Sequence, residues 1–92
     1  MKQSIAVAIL NWNGTEHLGS FLQNVVNCSK DHAKVYVIDN GSTDDSMSIA
    51  EAIPEVECIY LPENYGFAKG YNLGLEQIKA DLFVLLNSDV EV

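Results

Sequence analysis

Lys34-Val35-Tyr36-Val37-Ile38-Asp39-Asn40-Gly41-Ser42 is the stretch that decides the fold. A run of β-branched and aromatic residues, a strand composition, ends on a carboxylate and breaks at once into turn chemistry. The pattern returns near the end of the chain, where Leu82-Phe83-Val84-Leu85-Leu86 leads into Asn87-Ser88-Asp89. An acid directly after an apolar strand is poorly placed to pack in a core. It is well placed at the carboxyl edge of a parallel sheet, where open α/β folds bind their ligands.

Working outward, strand and helix signals alternate. Ile5 to Leu10 is a continuous apolar run, as expected of a strand buried on both faces. Asn11-Trp12-Asn13-Gly14 breaks it, and Asn13 or Thr15 can cap a helix carried by Leu18, Phe21, Leu22, Val25 and Val26. Lys34 to Ile38 is the second strand. The polar turn after Asp39 opens a second helix, with Ser42 and Asp45 spaced as a capping pair and Pro54 forbidding its continuation. Glu57 to Leu61 is the third strand, Phe67 to about Ile78 a third helix, and Leu82 to Leu86 the fourth strand. Strands joined by helical crossovers predict an α/β, Rossmann-like parallel sheet of order 3-2-1-4 with helices on both faces. The ends of strands one, two and four then share one crevice.

Composition narrows the function. The 92 residues allow one small domain or part of one. Five Lys and no Arg against thirteen Asp plus Glu give a net charge of −8, which argues against nucleic acid and anionic membrane. The same charge suits a divalent cation or simply a solvated surface. Cys28 and Cys58 are too few for a disulfide scaffold and are expected as buried, reduced thiols. His17 and His32 lack companions at metal-ligand spacing and are expected at the surface. The N-terminal apolar run is too short to span a membrane and carries no cleavage pattern, so a cytoplasmic domain is expected.

The first turn, Asn11-Trp12-Asn13-Gly14, lacks the GxGxxG of a dinucleotide site. Four other signals occur in order: Ile9-Leu10-Asn11-Trp12-Asn13-Gly14, Val37-Ile38-Asp39-Asn40-Gly41-Ser42-Thr43-Asp44, Asn64-Tyr65-Gly66-Phe67-Ala68-Lys69-Gly70-Tyr71-Asn72-Leu73-Gly74, and Leu85-Leu86-Asn87-Ser88-Asp89. Together they resemble the N-terminal nucleotide-sugar-binding half of family 2 inverting glycosyltransferases of GT-A fold. The flavour is that of the rhamnosyltransferase-like branch, whose turn reads DNGS. The resemblance covers almost the whole of 1–92, which then constitutes a partial GT-A domain ending just after its DxD-like motif.

The resemblance implies roles for particular residues. Asp39 accepts from the N3–H of uracil or thymine, a task for an acceptor-only carboxylate; the rival role is a strand-end acid that starts a turn. Asn40 departs from the second Asp of many relatives, so no carboxylate role transfers to it. Asp44 serves either as an acid favoured by a helix dipole or as a ligand contact. Asp89, the last position of the DxD-like motif, is the metal ligand, for Mn²⁺ or Mg²⁺ bridging the diphosphate. Asn87 replaces the first Asp and offers a neutral amide to ribose or phosphate. Asn11, Trp12, Gly66 and Asn72 complete the implied nucleotide site, although Trp12 can equally cover the sheet edge. Lys69 either meets phosphate or is solvated, and Gly70 and Gly74 suit close packing of their helix on the sheet.

The implied parent enzyme transfers a sugar from a UDP- or dTDP-sugar to a saccharide or lipid-linked hydroxyl with inversion, in cell-surface polysaccharide biosynthesis at the cytoplasmic face of the membrane. Its general base is expected downstream of Asp89, so no residue of this chain is nominated, and the chain alone is expected to be inactive. The competing expectation is a non-catalytic nucleotide-binding or self-associating module, a homo-oligomer formed through exposed sheet surface.

Overall fold

The computed structural model describes residues 4–29 and 31–87. The elements run β1 (Ile5–Asn11), α1 (Thr15–Ser29), β2 (Lys34–Asn40), α2 (Ser46–Glu51), β3 (Val56–Leu61), α3 (Phe67–Leu75) and β4 (Leu82–Asn87). The four strands form one sheet of order β3-β2-β1-β4, and every neighbouring pair is parallel, as the alternation predicts.

Strand alternation divides the core in two. Val7, Ile9, Val35 and Val37 face α1 and α2, where Leu18, Leu22, Val26, Met47 and Ala50 complete one cluster. Ala6, Ala8, Leu10 and Ile38 face the opposite side, where Tyr71 and Ile78 close a second cluster under α3. Small alanines on β1 let α3 approach closely. Gly74 does the same on the helix side, since a Cβ there would lie 2.3 Å from Ile38 Cδ1.

Several boundaries shift from the sequence expectation. β1, β2 and β4 extend into their polar residues, so Asn11, Asp39, Asn40 and Asn87 are paired strand positions rather than loop. α3 stops at Leu75, three residues short of the expected end, and Ile78 still enters the core from the following turn. Ser42 and Asp45 form no capping pair, because α2 starts only at Ser46 and Asp45, its N-cap residue, makes no side-chain cap bond. Asp44 does that work: its Oδ1 accepts from Ser46 N–H at 3.0 Å and Ser46 Oγ at 2.5 Å. Cys28 is exposed on α1 and Cys58 only partly buried, which corrects the expectation of two buried thiols. Among the described residues no helix is long and apolar enough to cross a membrane.

Candidate nucleotide site at the carboxyl edge of the sheet

Register brings the polar strand ends together. Asn11 pairs with Asp39 across β1 and β2, Leu10 with Asn87 across β1 and β4, and Asn40 with Leu61 across β2 and β3. The end of β4 is held from the helix side by the Tyr71 hydroxyl, which donates to Leu86 C=O. Asn87 therefore stands on the same edge as Asp39; its side chain, and Ser88 and Asp89 entirely, lie outside the described residues. Among the described residues no group of three acidic, His or Cys side chains gathers to hold a metal ion.

Asp39 is 7% exposed, and Ser42 N–H donates to its Oδ1 at 3.1 Å. That bond folds the chain into the turn after β2, so the turn-starting role expected of this acid is present. It occupies Oδ1. Among the described residues the second carboxylate oxygen has no hydrogen-bond donor, which leaves an acceptor at the mouth of the sheet.

Asn11 is fully buried, and its amide points into the protein. Nδ2 donates to Ser46 Oγ at 2.8 Å and to Ser42 Oγ at 3.3 Å, with Met47 Sδ at 3.7 Å. Through Ser46 the chain of bonds reaches Asp44. Asn13 ties the same two loops from outside: its Oδ1 accepts from Thr43 N–H at 2.7 Å and Asp44 N–H at 3.2 Å, and its N–H donates to Ser42 Oγ at 2.9 Å. It does so from φ 50°, in the left-handed region that asparagine tolerates better than most residues. Asn13 thus ties two loops in place of the expected helix cap, and the Asn11 amide, implied by the resemblance to meet nucleotide, is engaged within the protein.

Asn40, assigned no role from the sequence, turns to the α3 side. Its Nδ2 donates to Asn64 Oδ1 at 3.0 Å and Gly66 C=O at 3.1 Å, while its Oδ1 accepts from Tyr65 N–H at 3.0 Å. Gly66 adopts φ 82°, and its N–H donates to Asn64 Oδ1 at 2.8 Å. The loops after β2 and β3 then touch backbone to backbone at Gly41: φ is 75°, and a Cβ would lie 2.5 Å from Glu63 carbonyl carbon.

Trp12 is 50% exposed beside this edge, and Asn72 is exposed on α3. Lys69 is exposed with its Nζ 5.0 Å from the centre of the Tyr65 ring, a cation–π contact, and His32 is exposed as expected. A hollow lined by Val26, Ala33, Lys34, Val35 and Glu55 involves none of the site side chains.

Three laced loops surround a strand-end carboxylate at this sheet edge, and comparison with known proteins gives the family. Residues 4–92 match the family described as glycosyl transferase family 2. The chain belongs to that family. An uncharacterised glycosyltransferase of Haemophilus influenzae is 30% identical over 89 residues, covering 92% of this chain and 36% of the relative. S. aureus TarS 1–349 in complex with UDP-GlcNAc superposes with a TM-score of 0.81 at 23% identity, over 94% of this chain and 26% of that one. The mannosyltransferase PcManGT of Pyrobaculum calidifontis, in complex with GDP-Man and Mn²⁺, gives 0.81 at 23% identity, over 97% of this chain and 28% of that one. The family 2 chain described here thus spans about a third of the curated relative and a little over a quarter of these solved chains. Its parallel four-stranded sheet matches the Rossmann-like sheet of these GT-A fold neighbours.

Proposed function

We propose that this chain is the donor-nucleotide half of an inverting glycosyltransferase of the rhamnosyltransferase-like branch, acting on a UDP- or dTDP-sugar. The observation that carries the reading is Asp39. Its carboxylate is held at the end of β2 by one bond from Ser42, with its other oxygen unclaimed among the described residues. An acceptor fixed there suits the N3–H of a uracil or thymine ring, a donor that cytosine lacks. Trp12, exposed just past Asn11, the β1 residue paired with Asp39, offers a ring face to the base; Asn72, the Gly66 backbone and Asn87 supply polar groups around ribose and diphosphate.

The structural relatives bind both UDP and GDP sugars, so the shared fold leaves the base to local residues. Mn²⁺ in the mannosyltransferase complex supports a divalent cation in this fold. In this chain the hard oxygen donor for Mn²⁺ or Mg²⁺ is Asp89, together with phosphate oxygens and water. Bound there, the metal would neutralise charge on the departing diphosphate. Asp39 and the three loops hold and orient the nucleoside, and Tyr71 holds the strand end that leads to Asp89. The base that deprotonates the acceptor is assigned to sequence beyond Asp89.

Calorimetric titration of UDP, dTDP, CDP and ADP tests the reading. UDP or dTDP should bind best, and Asp39→Asn should weaken that binding by about 1–3 kcal/mol, the range for a hydrogen bond to a charged group. Equal affinity for all four bases would remove Asp39 from the site. A second reading, self-association of this chain through β4, is supported by the exposure of Leu82 to Leu85 on that edge strand.

A further inference from the structure

We propose that Asn40 is a positioning residue of the nucleotide site, acting through the loop Asn64-Tyr65-Gly66; the inference rests on the donor-nucleotide reading above. Asn40 is 3% exposed and immediately follows Asp39, yet it projects to the opposite side of the sheet. One amide holds three consecutive loop residues, donating to Asn64 Oδ1 and Gly66 C=O and accepting from Tyr65 N–H. The task needs a donor and an acceptor on one short side chain, and asparagine has both. A carboxylate would meet two acceptors, Asn64 Oδ1 and Gly66 C=O, in a buried position. Burying such a mismatch opens the loop or forces the acid to hold a proton.

The loop matters to the site because it has nowhere to move independently. Gly41, two residues after Asp39, lies against the backbone of Glu63 and Asn64, closely enough that a Cβ would fall within 2.7 Å of three of their atoms. Gly70 of α3 seats against the Asn40 amide, where a Cβ would lie 3.0 Å from Nδ2. A displaced 64–66 loop therefore presses on the turn that sets the Asp39 carboxylate through Ser42. The Asn40 amide is the joint between these two loops, and it explains why this chain reads Asp-Asn rather than Asp-Asp at the end of β2.

The test uses Asn40→Ala and Asn40→Asp in this chain, with amide exchange followed by nuclear magnetic resonance and UDP binding by calorimetry. Circular dichroism identifies a temperature at which each variant is folded. Both variants should speed exchange at Tyr65 and Gly66 by about tenfold while Ile9 and Val37 stay within about twofold, the mark of local opening. UDP affinity should fall by about fivefold in Asn40→Ala and further in Asn40→Asp, which sets a carboxyl against two acceptors in the buried joint. UDP should also slow exchange at Tyr65 and Gly66 in the unsubstituted chain. If Asn40→Asp fails to fold, Asn40→Ala carries the test alone. A loosened loop with unchanged UDP affinity overturns the positioning role and leaves the nucleotide reading standing. Unchanged exchange at Tyr65 and Gly66 overturns the joint itself. Absence of UDP binding in the unsubstituted chain overturns the nucleotide reading, and the positioning role with it.

Discussion

Val35, Val37 and Ile38 in β2 are no more than 2% exposed, whereas Leu82, Phe83, Val84 and Leu85 in β4 keep 39–48% of their surface in water. Each strand is an aliphatic run with one aromatic residue, and both end at polar groups on the same sheet edge. Position in the sheet separates them. β2 has a paired strand on each side and helices over both faces. Among the described residues β4 has β1 on one side and no strand on the other, and Leu82 to Leu85 belong to neither packed cluster. An apolar, regular edge of this kind is a template for pairing with another strand.

The largest effect that could break this comparison is a charge placed at matched positions. Val37→Asp buries an unpaired carboxylate in the first core cluster and should abolish cooperative folding, seen as loss of a thermal transition in circular dichroism. Val84→Asp should change stability by only about 0.5 kcal/mol, as at other surface positions. If β4 pairs between copies, the same substitution should also lower the mass measured by light scattering to that of the monomer. Equal damage from both substitutions would mean that β4 is covered after all.

A smaller effect sharpens the contrast at the loops. Gly41 and Gly66 both have positive φ, but a Cβ at Gly41 meets the Glu63 backbone at 2.5 Å while one at Gly66 meets nothing within 4 Å. At φ 82° and ψ 177° Gly66 lies in a region that is essentially glycine-only, so Gly66→Ala should cost the backbone strain alone, about 1–3 kcal/mol. Gly41→Ala should cost more and weaken UDP binding, because the backbone itself must move. Denaturant melts of the two variants give the difference directly.

The smallest effect concerns β3, the other edge strand. The Tyr60 hydroxyl donates to the Glu51 carboxylate, and that bond, with some burial, raises the phenol above its ordinary range. Burial and the nearby Glu51 charge raise the Cys58 thiol as well, so it stays protonated and a poor nucleophile. Both groups favour the protonated form in the folded state. Their contribution is whole below the unfolded thiol and phenol values and is lost progressively as pH rises from those values through the raised folded ones. Stability should fall above about pH 9, where an unperturbed thiol and then a phenol would ionise in the unfolded chain. Tyr60→Phe should make that fall shallower, read as the slope of melting temperature against pH.

The amino-acid sequence by itself determined the alternation of strands and helices, the parallel order with β1 beside β4, and the placement of Asp39 at a strand end. The alternation and the strand-end acid follow from periodicity and turn chemistry, which act over a few residues, and the order follows from the topological rules for crossover-linked parallel strands. The same information left Asp44 as either a first-turn acid or a ligand contact, because the helix boundary depends on how Ser46 is satisfied. It left Asn40 without a role and gave Asn11 only as a nucleotide contact implied by the resemblance. Both amides find partners 24 to 36 residues away, on loops that become neighbours only once the strands have taken their order. The exposure of Cys28 and of β4 was likewise decided by the tertiary structure. An apolar side chain is buried only where another element lies over it, and which element does so is a property of the assembled sheet rather than of the strand's own residues.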